Sequence, residues 1–97
     1  MILSVHPAAE RDVWEAAAFY EREGSPALAA RFVKEFRRLC EFLLEHPEIG
    51  STRSGGKRGL SMSDFPYTVI YRVLADELRI LVVKHDRRRP GFGGTRI

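Results

Sequence analysis

The sequence lacks the features that mark secreted, membrane-spanning and metal-binding proteins. Its single cysteine, Cys40, excludes an internal disulfide framework and fits a reducing compartment. No apolar run approaches the ~18–20 residues of a membrane span, and the start, MILSVHPAAE, does not read as a secretory signal. Metal-ligand Cys/His spacings and phosphate-binding glycine motifs are absent. We therefore expect a cytoplasmic protein with no membrane association, no metal and no cofactor.

What is present is typical of a small globular protein. With 97 residues, 44% of them hydrophobic, the chain can build a single core, and we expect residues 1–97 to be one domain. The net charge is +3, but its distribution is more informative. From Arg79 to the last residue the sequence has several arginines and one lysine but only one acidic residue, Asp86. This local excess suits an acidic partner such as a nucleic acid, a ribosomal RNA surface or an acidic peptide. A solvated basic tail is the simpler alternative.

Two amphipathic helices are predicted in the first half of the chain. Pro7 suits the first turn of a helix, where its missing N–H is not needed, and Gly24 ends that helix. Ser25 and Pro26 then supply the N-cap and first helical residue of a second helix. Its apolar residues recur every three or four positions until Pro47. The short break between the helices predicts an antiparallel helical hairpin.

Four segments are predicted to be strands: 2–5, 58–63, 67–74 and 78–84. The polar, glycine-rich segment 48–57, EIGSTRSGGK, is predicted to be a mobile connection. The last three strands follow one another as an antiparallel meander. The predicted fold class is therefore α+β, with an N-terminal strand and a helical hairpin packed on a small antiparallel sheet.

The last two strands raise the question of how the sheet is covered. In strand 67–74, alternation places Tyr67, Val69, Tyr71 and Val73 on one face and Thr68, Ile70, Arg72 and Leu74 on the other. Strand 78–84 is apolar on both faces apart from Arg79, so each face of the sheet at this strand must be buried against another part of the protein or a partner. The helical hairpin covers one face; the other must be covered by the tail, a second copy or a partner. We expect this second face to stay uncovered, as a surface for another macromolecule.

Individual side chains outside the strands are predicted to have structural roles. Cys40 is expected to be an inert core thiol. Trp14 and Tyr20 are expected to pack between the helices and the sheet, and His6 and His46 suit capping or surface positions.

An ordered set of short motifs resembles the RelE/ParE superfamily of type II toxin–antitoxin toxins and is closer to ParE. The set spans nearly the whole chain and is clearest in Phe65-Pro66-Tyr67, Ile70-Tyr71-Arg72, His85, Arg88-x-Pro90 and Arg96. The resemblance implies a small antiparallel sheet carrying an N-terminal helical hairpin. It also implies a cognate antitoxin that wraps the toxin in a hetero-oligomer and covers its apolar and basic surface.

The superfamily has two functional classes. ParE-like members poison DNA gyrase, whereas RelE-like members cleave mRNA on the ribosome. The pattern from His85 to Pro90 is ParE-like, and Thr68 stands where a RelE-like catalytic arginine would be expected. Phe92 stands near a nuclease's tyrosine or a ParE-like tryptophan, and it cannot transfer a proton. We predict a gyrase inhibitor that acts through a protein–protein surface; the alternatives are a ribosome-dependent mRNA endonuclease and a degenerate, non-toxic binding partner.

The resemblance also implies which residues act. A nuclease would need an acid–base group and fixed cations around the phosphorane-like transition state. Its candidates are His85, Arg88, Arg87, Arg58 and Arg72, with Lys57 beside Arg58 where family lysines lie. For contact with the target or the antitoxin, the candidates are Arg72, Arg87, Arg88, Arg89, Phe92 and Arg96. Three adjacent arginines cannot all face one ligand, so we expect only one of those in the run 87–89 to contact it.

Overall fold

The computed structural model describes residues 1–97 as two helices and five strands. In chain order these are β1 (Ile2–Val5), α1 (Pro7–Glu23), α2 (Pro26–Glu45), β2 (Ser51–Arg53), β3 (Lys57–Ser61), β4 (Tyr67–Val73) and β5 (Glu77–His85). A 3₁₀ turn, Ser54–Gly56, joins β2 to β3. The strands form one sheet in the order β1-β5-β4-β3-β2. The sheet therefore has a helix face, under α1 and α2, and an opposite face that we call the back face.

Local capping sets where the helices begin. The His6 Nδ1 accepts a hydrogen bond from the Ala8 N–H at 3.0 Å, and the Ser25 Oγ accepts one from the Leu28 N–H at 3.1 Å. Each helix has a proline in its first turn. Both predicted helices and the capping role of His6 are confirmed. No helix combines the length and apolar character needed to cross a membrane.

The predicted α+β fold class is confirmed, but the sheet differs from the prediction in two respects. It is mixed, because β1 pairs parallel to β5 after the chain has crossed over through the helical hairpin. The segment 48–57, predicted to be a mobile connection, contains β2, which pairs antiparallel with β3. Its three polar residues are all exposed, so β2 shows no alternation of apolar and polar side chains that would reveal it.

Aromatic packing fixes the helix face. The ring of Tyr20 lies 5.5 Å from that of Phe32 and 5.0 Å from that of Phe65, measured between centroids, within the distance range of favourable aromatic pairs. The predicted packing of Tyr20 is confirmed, but that of Trp14 is wrong. Trp14 is 55% exposed, because the buried stripe of α1 includes Val13, and the next residue along a helix is turned by about 100°.

The back face is covered at its apolar centre by the chain itself. The register between β4 and β5 shifts at Ile70/Tyr71, a bulge that gives β5 an extra residue. Ile70, Leu81 and Val82 form a second buried cluster, against which Phe92 from the C-terminal tail packs. The expectation of an uncovered second face is therefore wrong for this apolar centre. Outside this centre the back face carries basic side chains such as Arg72 and Arg79, with Glu77 beside them.

The first prediction concerns Tyr71, which is fully buried. Its hydroxyl accepts from the Gly50 N–H at 3.0 Å and donates to the Pro47 carbonyl oxygen at 2.8 Å. We expect Tyr71→Phe to lower the unfolding free energy by about 1–3 kcal/mol, because the Gly50 N–H and the Pro47 carbonyl oxygen lose their hydrogen-bond partner inside the protein. Urea denaturation measures this. Tyr20→Phe is the matched control, and an equal effect of both variants would contradict the role of the hydroxyl.

The second prediction concerns Cys40, which is 3% exposed in the core as predicted. Burial, with a smaller contribution from Glu41, raises the pKa of its thiol from 9.0 to about 12. Above the lower value the unfolded chain loses this proton while the folded chain keeps it, so stability falls as the pH rises through that interval. We expect the stability advantage of the wild type over Cys40→Ala to shrink above pH 9 in urea titrations. A gap independent of pH would contradict this.

Candidate functional site

Asp12 anchors the C-terminal tail to the sheet and to α1. Its Oδ2 accepts hydrogen bonds from the Arg96 Nη1 at 2.5 Å and from the Val83 N–H at 3.0 Å. Arg96 also donates to the Leu81 carbonyl oxygen at 3.1 Å. The two charged side chains are only 9% and 15% exposed, so solvent screens their attraction weakly. One carboxylate thus holds three parts of the fold together.

The basic turn after β5 lies on this anchored tail. Arg87, Arg88 and Arg89 are exposed, and Phe92 lies beneath two guanidinium groups. The Cζ of Arg88 is 4.6 Å and that of Arg96 is 5.1 Å from the ring centroid, the geometry of cation–π contacts. Arg87 and Arg89 have no side-chain partner within the chain, so their guanidinium groups are free for another molecule.

A groove of about 390 Å³ opens between α1 and the end of β5. Phe19, Tyr67 and Val83 are among its apolar lining residues. Acidic side chains from α1 and basic side chains from β5 and the turn also line it, namely Asp12, Glu15, Lys84, His85 and Arg88. A groove with an apolar lining and charges of both signs suits a protruding side chain of a partner protein.

His85 lies in this groove. Its Nδ1 accepts a hydrogen bond from the Arg87 N–H at 3.1 Å, which leaves Nε2 as the nitrogen available to another group. Its ring meets the edge of Tyr67, with 5.2 Å between centroids. Burial raises the pKa of Tyr67 above its ordinary value of 10.0, so the phenol stays protonated at neutral pH. His85 therefore combines a structural hydrogen bond with one free nitrogen.

The nuclease candidates do not converge on one point. His85 is in register with Tyr67, whereas Arg58 is in register with Tyr71, four residues or about 13 Å further along the strand. Arg58 donates to the Gly50 carbonyl oxygen at 3.0 Å, at the end of the helix face away from His85. Of the other four candidates, only Arg87 and Arg88 lie near His85.

The remaining candidate, Arg72, is on the back face, as are Lys57 and Thr68. Arg72 donates to the Gly55 carbonyl oxygen at 2.8 Å, and Lys57 donates to the Gly94 carbonyl oxygen at 2.7 Å. Thr68, where a RelE-like arginine would be expected, donates to the Asp86 Oδ1 at 2.8 Å. A phosphate held at His85 would therefore lie across the sheet from Arg72.

The structure also assigns roles that the sequence did not reveal. Arg96, predicted as a target contact, is held by Asp12 within the chain. Nothing in the sequence pairs these residues, since 84 positions separate them. No group of three or more His, Cys, Asp or Glu side chains is placed to hold a metal ion.

The fold and this site define a class: small α+β proteins with a basic tail and a surface suited to binding a macromolecule. Residues 3–90 match the family model of the "ParE toxin of type II toxin-antitoxin system, parDE". The chain is also similar to a solved structure described as "Chromosomal ParDE TA system from P. aeruginosa", with a TM-score of 0.78 and 22% identity. That match covers 88% of this chain and 95% of the other. No curated protein sequence matches this chain.

Because the family match spans nearly all of the chain, the protein belongs to the ParE toxin family. It is the toxin of a type II toxin–antitoxin system, and an antitoxin is therefore its partner. The resemblance to RelE/ParE toxins is confirmed. The likeness to the solved ParDE structure, at its low identity, shows the shared fold.

The third prediction tests the Asp12 anchor. We expect Asp12→Asn to lower the unfolding free energy by about 2–3 kcal/mol, because it leaves the half-buried Arg96 without its anion. Faster hydrogen exchange over residues 91–97 should accompany the loss. The control is Asp64→Asn in the exposed pair with Arg31, which should cost less than about 1 kcal/mol. Similar losses in both variants would show that Asp12 is not a special anchor.

Proposed function

We propose that this toxin inhibits DNA gyrase by binding it through a protein surface, without cutting nucleic acid. The observation that carries the proposal is the separation of the nuclease candidates within a ParE family chain. Arg58 and His85 lie about 13 Å apart along the strand direction, and Arg72 lies on the opposite face. Catalysis of RNA cleavage needs these groups around one phosphate.

The surface proposed for this contact is the turn 86–90 together with the adjoining groove. The guanidinium groups of Arg87 and Arg89 have no partner in the chain, and Arg88 is positioned over Phe92. Arginine beside an aromatic ring is the composition of interface residues that contribute most to binding. Arg72 and Arg96 are less suited, since Arg72 points to the back face and Arg96 is held by Asp12.

We further propose that the antitoxin forms a hetero-oligomer with the toxin in the cytoplasm. It would neutralise the toxin by occupying basic and apolar surface that the free chain exposes. The exposed turn arginines and Phe19, which is 45% exposed at the rim of the groove, are suited to such a partner. An acidic antitoxin segment would be attracted to the arginines.

One observation favours a second candidate, the ribosome-dependent mRNA endonuclease. His85 and Arg88 line the same groove, and the His85 Nε2 is free of intramolecular hydrogen bonds. A histidine for proton transfer and an arginine for phosphate charge are a minimal cleavage pair. Under this alternative, His85→Ala and Arg88→Ala would each abolish mRNA cutting.

The fourth prediction separates these functions. The toxin is expressed without its antitoxin. Supercoiling by gyrase and the integrity of mRNA on translating ribosomes are followed in parallel. We expect loss of supercoiling with intact mRNA. Arg87→Gln with Arg89→Gln should weaken inhibition at least about fivefold, as for contact residues worth about 1 kcal/mol.

The matched control is Arg22→Gln with Arg37→Gln, which removes the same charge from exposed positions on α1 and α2. Discrete mRNA cuts that disappear in His85→Ala would establish the nuclease instead. A toxin that affects neither process would be the degenerate binding partner.

A further inference from the structure

The strand registers align four basic residues in one row across the sheet. Arg53 of β2 pairs with Lys57 of β3, and Arg72 of β4 pairs with Arg79 of β5. The antiparallel register of β3 and β4, continued by one position, brings Lys57 beside Arg72. Because neighbouring strands lie about 4.8 Å apart, this cation row extends over about 14 Å, perpendicular to the strands.

All four side chains lie on the back face. Arg72 lies between Tyr71 and Val73 in sequence, and both of these pack in or against the helix-face core. Side chains alternate along a strand, so Arg72 points away from the helices; Arg79 does so for the same reason. Arg53 folds over Gly59, where an added Cβ would clash with the guanidinium group. Glycine at this position thus leaves room for the first cation of the row.

The row carries four positive charges, and one acid, Glu77, lies on the same face two residues before Arg79 on β5. Like charges directly opposite each other on neighbouring strands repel. The ion pairs of the chain are Arg31–Asp64, Arg38–Glu35 and Arg96–Asp12, and none involves the row. Lys57 and Arg72 instead donate to the main-chain oxygens of Gly94 and Gly55, at 2.7 and 2.8 Å. Arg79 donates to an oxygen of Ile97 and to the Ser4 Oγ, both at 3.1 Å, and the Ser4 Oγ in turn donates to the Glu77 carboxylate. An anionic ligand would relieve the repulsion among Arg53, Lys57 and Arg72, none of which is bonded to an acidic side chain.

The arginines of the row have donors to spare. A guanidinium has five N–H donors in a fork that fits phosphate oxygens in pairs. Arg72 uses only Nη2 within the chain, and Arg79 uses Nε and Nη1. Arg53 is exposed, and the other three residues are half-buried. The tail contacts Lys57 and Arg79 through Gly94 and Ile97, and a ligand on the back face can reach the part of the row that the tail leaves exposed.

We propose that the cation row binds the phosphate backbone of duplex DNA. Single-stranded nucleic acids are held by cations together with exposed aromatic rings on which bases stack. Here the exposed aromatic side chains, Trp14, Phe19 and Phe42, lie on the helices, and Phe92 lies beneath two guanidinium groups. A row of cations without a stacking platform fits a backbone whose bases are paired. The choice of DNA over duplex RNA rests on the proposed function, because gyrase acts on duplex DNA.

The fifth prediction tests the row by fluorescence anisotropy with a labelled DNA duplex and the full chain. Four phosphate contacts predict that log K falls against log salt with a slope of about −3.6. Arg72→Gln with Arg79→Gln should reduce the steepness by about 1.8 and weaken binding about tenfold at low salt. The control, Arg22→Gln with Arg37→Gln, removes the same charge from the helices and should bind within about twofold of the wild type.

Equal losses in the two variants would overturn the proposal, because net charge alone would then explain binding. A labelled single strand, an RNA duplex and poly-glutamate are measured alongside. Tighter binding of the RNA duplex or the single strand would reject duplex DNA as the ligand, and binding of poly-glutamate alone would assign the row to an acidic peptide. Circular dichroism checks the fold of each variant. If the double variant unfolds, the single Arg72→Gln and the wild-type slope still decide the outcome.

The outcomes also separate this inference from the proposed function. If the toxin inhibits gyrase but does not bind DNA, the proposal that the cation row binds DNA is rejected and the gyrase proposal stands. If the toxin binds DNA but leaves supercoiling intact, the proposal that the cation row binds DNA stands and the gyrase proposal is rejected.

Discussion

Asp12 and Arg96 form the interaction on which the arrangement of the functional surface depends. The carboxylate accepts from Arg96 and from the Val83 N–H, and Arg96 reaches the Leu81 carbonyl oxygen beside the bulge. With both charges largely withdrawn from solvent, the pair holds residues 91–97 against the back of the sheet. Phe92 is thereby placed over Ile70, Leu81 and Val82, and the arginine turn is fixed beside the groove.

This closure changes what the protein offers to a partner. A strand that is apolar on both faces would leave an exposed, aggregation-prone apolar surface if only the helices covered it. The tail instead buries the apolar centre and leaves a basic surface at two places, the turn 86–90 and the cation row. Partners would then be selected by charge and hydrogen-bond geometry more than by apolar area. A toxin that must meet both an antitoxin and a cellular target benefits from such a divided surface.

The candidate nuclease residues are spread over the sheet, which is the basis of the proposed function. His85, Arg58 and Arg72 are each tied to local main-chain groups in different parts of the sheet. Cleavage chemistry depends on several groups held about one reacting atom, whereas binding can use cations spread over a wide area.

The sequence by itself determined the helices, the main strands and the family. Proline, serine and glycine at the helix ends set the helix boundaries through local interactions. The alternation of side chains along β4 indicates which of them share a face of the sheet. Only the tertiary structure decided the parallel pairing of β1, the strand β2, the Asp12–Arg96 anchor and the cation row. The strand β2 has no apolar alternation that would reveal it. The other three depend on contacts or registers between distant segments, and a bulge of one residue in β5 changes which side chains face the tail. Arg53, Lys57, Arg72 and Arg79 are unremarkable in sequence, because the row exists only when four strands are laid side by side.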